Sequence, residues 1–138
     1  MIDDSISMKD VFITSTLKFE WNSEFNSLIC QKLEEKWITC HLPQRDTHQN
    51  LSELDKYNQN IHSILHSYKV IVVWMNESIN WWLEVGYSFG LGKKIILLTH
   101  DDHVAPTMSL GMYHKIITVK NLNDYESYIG ELIEIIRE

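Results

Sequence analysis

The chain has 138 residues, 44% hydrophobic and 22% charged, ordinary for a folded domain and long enough for a real core. A net charge of -7 and a pI near 5.4 argue against binding a nucleic-acid backbone, and no apolar run approaches the roughly 20 residues of a membrane helix. The start, Met1-Ile-Asp-Asp-Ser, is acidic and has no apolar signal-peptide core, so a cytoplasmic protein with a single domain over 1–138 is expected.

Asp10 to Thr16 reads as a first strand ending in hydroxyls. Thr14, Ser15 and Thr16 either line a cleft at that strand end or cap the next helix. Residues 20 to 36 place Trp21, Phe25, Leu28, Ile29 and Leu33 at helical spacing. Trp37 to Leu42 is a second strand, stopped by Pro43, and the polar loop Gln44-Arg-Asp-Thr-His-Gln-Asn50 follows. Cys30 and Cys40 lack metal-ligand spacing and read as reduced packing residues. Ser52 is an N-cap for a helix to about Tyr68, with Leu54, Tyr57, Ile61, Ile64 and Leu65 facing inward. Lys69 to Asn76 is a third strand, and a helix containing Glu84 follows it. Lys94 to Thr99 and Lys115 to Lys120 are the fourth and fifth strands. Leu122 to Glu138 closes the chain as a helix with an acidic solvent face. This alternation predicts an α/β fold, a flavodoxin-like or Rossmann-like three-layer sandwich around a five-stranded parallel sheet.

The most informative stretch runs from Val70 to Leu98. A buried strand leads through a short polar turn into a helix, and a lone acid, Glu84, lies in the first turn or two of that helix. Ligands bind at the carboxyl edge of open parallel sheets, and a positioned carboxylate there can act as a nucleophile or a base. The structural alternative is an acid that favours the helix N-terminus. Trp81 and Trp82 are adjacent, so they cannot share a helix face; one packs inward and the other is free to line a pocket or a subunit contact. Gly86, Gly90 and Gly92 fall within and after the helix, not between strand and helix, so they do not form a dinucleotide fingerprint. Gly92 fits a helix C′ position. His62 and His66 share a helix face but have no third ligand, so no metal is expected from them.

Three segments together resemble the nucleoside 2-deoxyribosyltransferase family, which includes deoxynucleotide N-glycosidases. Leu83-Glu84-Val-Gly86-Tyr87-Ser-Phe-Gly-Leu-Gly92-Lys93 is similar to the family's acid-hydrophobic-Gly-Tyr-Ala segment with its Gly-Lys stop. Pro43-Gln-Arg-Asp46-Thr-His-Gln49 is similar to its base-binding loop, and Met108-Ser109-Leu110-Gly111 with Leu122-Asn-Asp-Tyr125 to its C-terminal region. The resemblance implies that Glu84 attacks the anomeric carbon of the sugar and displaces the base, after which another base or water takes the sugar. Thr14, Ser15, Asp46, Gln49, Asn60, Ser78, Trp82 and Met108 are the expected substrate-binding residues. The chain departs from the family pattern at Ser78, where an aspartate usually holds the sugar, at Asn80, where a glycine is usual, and at Asn60-Ile61-His62, where an aspartate helps protonate the leaving base. Asp46, His48 or His62 could supply that proton instead. Arg45 and the strand-one hydroxyls are the groups available to a 5′-phosphate.

The expected function is therefore cleavage of the N-glycosidic bond of a nucleoside or nucleotide, with transfer to a base or to water. The alternatives are a catalytically silent nucleotide-binding sensor, or a TIR-like NAD glycohydrolase, since Ser78-Ile-Asn-Trp81-Trp82-Leu-Glu84 is also similar to the Ser…Trp…Glu segment of TIR domains. The expected partner is a small nucleoside or nucleotide, with no nucleic-acid polymer, no membrane, no cofactor and no metal. The resemblance also implies a homo-oligomer, with Met108 to Lys115 as its contact.

Overall fold

The runs Val70–Val73 and Ile95–Leu98 are fully buried residue after residue, because helices cover both sides of the strands that carry them. The computed structural model describes residues 8–15, 20–74, 79–100, 110–121 and 123–138. The calls on Thr16, Ser78, Met108 and Leu122, and on the side chains of Trp21 and Trp81, lie outside the described residues.

The elements in chain order are β1 (Lys9–Thr14), α1 (Glu20–Glu34), β2 (Cys40–His41), α2 (Pro43–Asp46), α3 (Glu53–Leu65), β3 (Ser67–Trp74), α4 (Ile79–Gly90), β4 (Lys94–His100), β5 (Lys115–Val119) and, after a 3-10 turn at Tyr125–Ser127, α5 (Ile129–Arg137). The five strands form one sheet in the order β2-β1-β3-β4-β5. Every pairing is parallel, with Ile13 opposite Ile71, Ile71 opposite Ile96 and Leu98 opposite Ile117. This is the flavodoxin-like order, and its connections reverse direction between β1 and β3.

The period of two along each strand divides the core. Val11, Ile13, Ile71, Val73, Ile96 and Leu98 pack with Phe25, Ile29 and Leu33 of α1 and with Leu132, Ile135 and Ile136 of α5. Phe12, Val70, Val72, Ile95 and Leu97 pack on the other face with Ile64 of α3 and Val85 of α4. Each such side chain stabilises the fold by about 1.5–3 kcal/mol relative to leaving it in water.

Three sequence expectations need correction. The second strand does not begin at Trp37. Backbone bonds from Trp37 N–H to Glu34 O (3.0 Å) and from Ile38 N–H to Leu33 O (3.1 Å) close α1 in a Schellman turn. Trp37 takes the left-handed position, with φ 66, and stands 91% exposed. Secondly, α3 stops at Leu65, because Ser67 already pairs with Lys9 of β1. Its Ser52 cap is present, accepting from Asp55 N–H at 3.2 Å, but Leu54 and Tyr57 are 67% and 53% exposed and only Ile64 is buried. Finally, the last helix begins at Ile129, not at Leu122.

A left-handed tryptophan is strained by about 1–2 kcal/mol. Trp37→Gly is therefore expected to stabilise the fold by about 0.5–1 kcal/mol once glycine's extra freedom in the unfolded chain is subtracted. A urea midpoint that fails to rise contradicts this.

Candidate functional site

Thr14 is the last residue of β1 and Glu84 lies midway along α4, the helix that follows β3. They meet where the sheet's connections change direction. The Thr14 Oγ1–H donates to Glu84 Oε2 at 2.5 Å, and Asn60 Nδ2 of α3 donates to Glu84 Oε1 at 3.3 Å. Both carboxylate oxygens are thus held by neutral donors from two different elements. Burial pushes the Glu84 carboxyl above its ordinary range, and the bonds from Thr14 and Asn60 pull the other way without cancelling it. One turn on, Ser88 Oγ donates to the Glu84 carbonyl at 2.7 Å.

The network continues away from Glu84, and the acceptor-only carboxylate sets its direction. Because Asn60 turns its nitrogen to Glu84, its Oδ1 faces Thr47, whose hydroxyl donates to it at 2.6 Å. With its one proton so used, Thr47 Oγ1 accepts from His41 Nε2 at 3.2 Å. His41 is buried and stacks on Phe12, with ring centroids 5.2 Å apart and planes within 7°. Burial lowers its pKa to about 4, so the ring is neutral near pH 7 and carries its proton on Nε2. Accepting at both oxygens, Glu84 thereby fixes an amide, a hydroxyl and an imidazole tautomer in series.

A cavity of about 510 Å³ opens between α3 and α4 over this glutamate, walled by Tyr57, Ile61, Leu83 and Tyr87 with Lys56, Asn60 and Glu84. The exposed Tyr57 that departs from the expected inner face of α3 is one of its walls. Lys56 Nζ lies 3.3 Å from Glu53 Oε1 and is the cavity's cation. A second cavity, of about 550 Å³, lies between α3 and the loop after β2, lined by His41, Asp46, His48, Asp55 and His62 among others.

The structure brings together three of the sequence-expected site residues, Thr14, Asn60 and Glu84, while Ser15 directly follows β1. Asn60 faces the glutamate rather than standing free in the cavity. Trp82 is half-buried and packs on the Phe12 and Val85 core. Asp46 and Gln49 do not line the cavity over Glu84. Asp46 accepts from Leu42 N–H at 2.9 Å and binds Arg45. The Gln49 amide donates to the Pro43 and Thr47 carbonyls of its own loop. Arg45 is held by Asp46, Glu34 and the Cys40 carbonyl. Sequence reasoning missed Thr47, His41 and Lys56. Thr47 had one available signal, a hydroxyl residue directly after the Pro43–Asp46 turn at a strand's carboxyl end.

Comparison with known proteins matches residues 8–102 to the family described as nucleoside 2-deoxyribosyltransferase like. No curated protein sequence matches the chain. Among solved structures it is similar to the CMP N-glycosidase BcmB of Clostridium botulinum, at 18% identity and TM-score 0.66 over 88% of this chain and 96% of that one. It is similar to a 2-deoxyribosyltransferase from Bacillus psychrosaccharolyticus, at 17% identity and TM-score 0.70 over 86% and 90%. It is also similar to the TIR domain of the Toll-related receptor TRR-2 from Hydra magnipapillata, at 20% identity and TM-score 0.70 over 95% and 100%. At these identities the structural matches report a shared fold. The match over 8–102 goes further, taking in β1, β3 and the Glu84 helix together, and by it the chain belongs to the nucleoside 2-deoxyribosyltransferase-like family.

Proposed function

We propose that this chain cleaves the N-glycosidic bond of a nucleoside or nucleotide in the cavity between α3 and α4, with Glu84 as nucleophile. The observation that carries the reading is the Glu84 carboxylate held by Thr14 and Asn60 at the wall of that cavity. Family membership and the activities of two of the structural relatives, a CMP N-glycosidase and a 2-deoxyribosyltransferase, support the same reaction class.

The chemistry suits the group. As the base departs, positive charge develops on the sugar's anomeric carbon, and an ionised carboxylate facing it stabilises that charge before bonding to the carbon. Two neutral donors orient the carboxylate without cancelling its charge. The base leaves with the glycosidic electron pair and takes up a proton. A second base, or water, then attacks the same carbon and frees Glu84. Tyr57 and Tyr87 offer aromatic faces for the base. Lys56 is the cation available to a nucleotide's phosphate, a role for which Arg45, held by three partners, is poorly placed.

The test is base release followed by chromatography. The purified chain meets a pool of nucleosides, deoxynucleosides, their 5′-monophosphates and NAD, with and without a free acceptor base. Release that disappears in Glu84→Gln supports the proposal, and a new nucleoside separates transfer from hydrolysis. Consumption of NAD alone favours the TIR-like reading. Saturable binding with no release favours the silent binder.

Thr14→Val removes the shorter of the two carboxylate bonds at nearly constant volume. The expected result is a fall in kcat of about tenfold, the equivalent of one hydrogen bond to a charged group. The acid limb of the pH–rate profile moves to higher pH, because the lost donor favoured the ionised form. Thr14→Ser keeps the hydroxyl and restores both. A profile unmoved in Thr14→Val contradicts the role assigned to this bond.

A further inference from the structure

Away from the Glu84 cavity, α1 and β2 bring two thiols and a carboxylate together. Cys30 and Glu34 stand one turn apart on the same face of α1, and Cys40 lies in β2, paired opposite Val11 of β1. One ligand atom from each of the three lies within 4.8 Å of the others. Cys30 Sγ is 3.3 Å from Glu34 Oε1, and both cysteines are buried and free of disulfide. Sequence spacing concealed this grouping because the ligands come from a helix and a strand.

Two further observations bear on what the cluster can hold. A cavity of about 400 Å³, lined by Cys30, Glu34, Gln44 and Arg45 among others, reaches it from solvent. Gln44 turns its nitrogen to the Ser23 carbonyl and the Ser27 hydroxyl, both at 2.8 Å. Since a carbonyl can only accept, the amide oxygen is fixed the other way, and Gln44 Oε1 is buried with no partner among the described residues. Charge completes the picture. Arg45 Nη1 lies 2.8 Å from Glu34 Oε1 and the same guanidinium also binds Asp46, so one divalent ion offsets the two thiolates while Arg45 is shared between the two carboxylates.

We propose that Cys30, Glu34 and Cys40 form a binding site for a thiophilic divalent cation of the zinc class, with a water in the adjoining cavity as fourth ligand. Sulfur ligands select this class over calcium or magnesium, which take oxygen. Three protein ligands with an accessible fourth position match zinc's tetrahedral habit. Gln44 Oε1 is the acceptor for that water. On binding, each thiol forms a sulfur–metal bond and releases its proton to solvent, with no change of oxidation state. In the metal-free chain, the hydrogen bond with Cys30 and burial push the Cys40 thiol far above its ordinary range.

The test is titration of the full chain, reduced and freed of metal by chelation, with cobalt(II) and then zinc(II). The expected result is one ion per chain and an intense thiolate-to-cobalt charge-transfer absorption, bleached when zinc displaces cobalt. Cys30→Ser and Cys40→Ser each abolish the absorption. Glu34→Gln, at an exposed position near the end of α1, folds normally and weakens binding by about tenfold or more, as the loss of a metal-site partner does. Circular dichroism of each variant separates lost binding from lost folding. The proposal is overturned if the reduced parent gives no charge-transfer absorption, if the absorption survives both cysteine substitutions, or if the thiols close to a disulfide without taking up metal. None of these outcomes depends on the Glu84 reaction.

Discussion

Glu84→Gln is expected to lower base release by at least about a thousandfold, the scale seen when an enzyme loses its nucleophile, while raising the melting temperature. Both effects come from one feature, a buried carboxylate held by neutral donors, with no cation among its hydrogen-bond partners in the described residues. The pH dependence follows from the sign of the shift. The folded pKa lies above the ordinary carboxylate value of 4.5. Between that value and the raised one, the folded chain keeps a proton that the unfolded chain has released. Folding is therefore favoured on the acid side, and stability falls as pH climbs through the window. Glutamine has no such proton to lose. The variant's stability advantage should be largest above the window and should vanish in acid. Activity runs the opposite way, since attack needs the ionised form, and its acid limb should lie above pH 4.5. Melting curves and base release across pH read the two effects separately. A variant that releases base at the parent's rate removes Glu84 from the reaction.

Lys69→Met is expected to cost about 2–3 kcal/mol of stability, because a charged donor to two buried carbonyls disappears. Lys69 is only 8% exposed, and its Nζ reaches from β3 to Ile135 O at 3.1 Å and Ile136 O at 2.6 Å, the last carbonyls of α5. The ammonium satisfies acceptors that a helix end leaves unpaired and sits at the negative end of the helix dipole. Burial keeps its pKa below the ordinary lysine value. Methionine fills similar volume but removes the donor from Ile136 O and leaves Ile135 O with only the Glu138 N–H, at 3.3 Å. The loss should appear in urea unfolding. Proteolysis should strike α5 first, where the other polar ties among the described residues include Arg137 Nη2 to Lys36 O at 2.9 Å and His114 Nε2 with Glu138 Oε2 at 3.5 Å. A loss below about 0.5 kcal/mol, the range of an ordinary surface change, refutes this account.

The sheet was readable because β3 and β4 are apolar on both faces, and a run of that kind bounded by turns has few other uses. Helix α3 shows where periodicity stops being informative. Leu54 and Tyr57 have the spacing of core residues, yet both are exposed and Tyr57 walls a cavity; spacing reports a shared face, not what covers it. Trp37 and Ile38 lengthened the second strand on paper, while the chain uses them to close a helix. The meeting of Glu84 and Thr14 was legible because Thr14 ends β1 and Glu84 lies on the helix that follows β3, and a parallel sheet brings such segments together. The Thr47 and His41 links were not legible, since side-chain bonds between elements follow from tertiary placement alone. Asp46, Arg45 and Gln49 looked like free loop polarity. Short polar side chains beside a turn satisfy nearby backbone groups first, and these do so.

The strand order also governs when the molecule can form. The β1–β2 ladder joins only two residue pairs, Val11 with Cys40 and Phe12 with His41. The longer partner of β1 is β3, with Lys9 lying opposite Ser67. On a ribosome β1 must therefore wait for its longer partner, with only its two pairs to β2 available, until the third strand has been made. Pairings between such distant segments are slow and leave the nascent chain prone to aggregation. Chains truncated before residue 67 should accordingly be unfolded and captured by chaperones, and synthesis slowed after β3 should raise the yield of native protein.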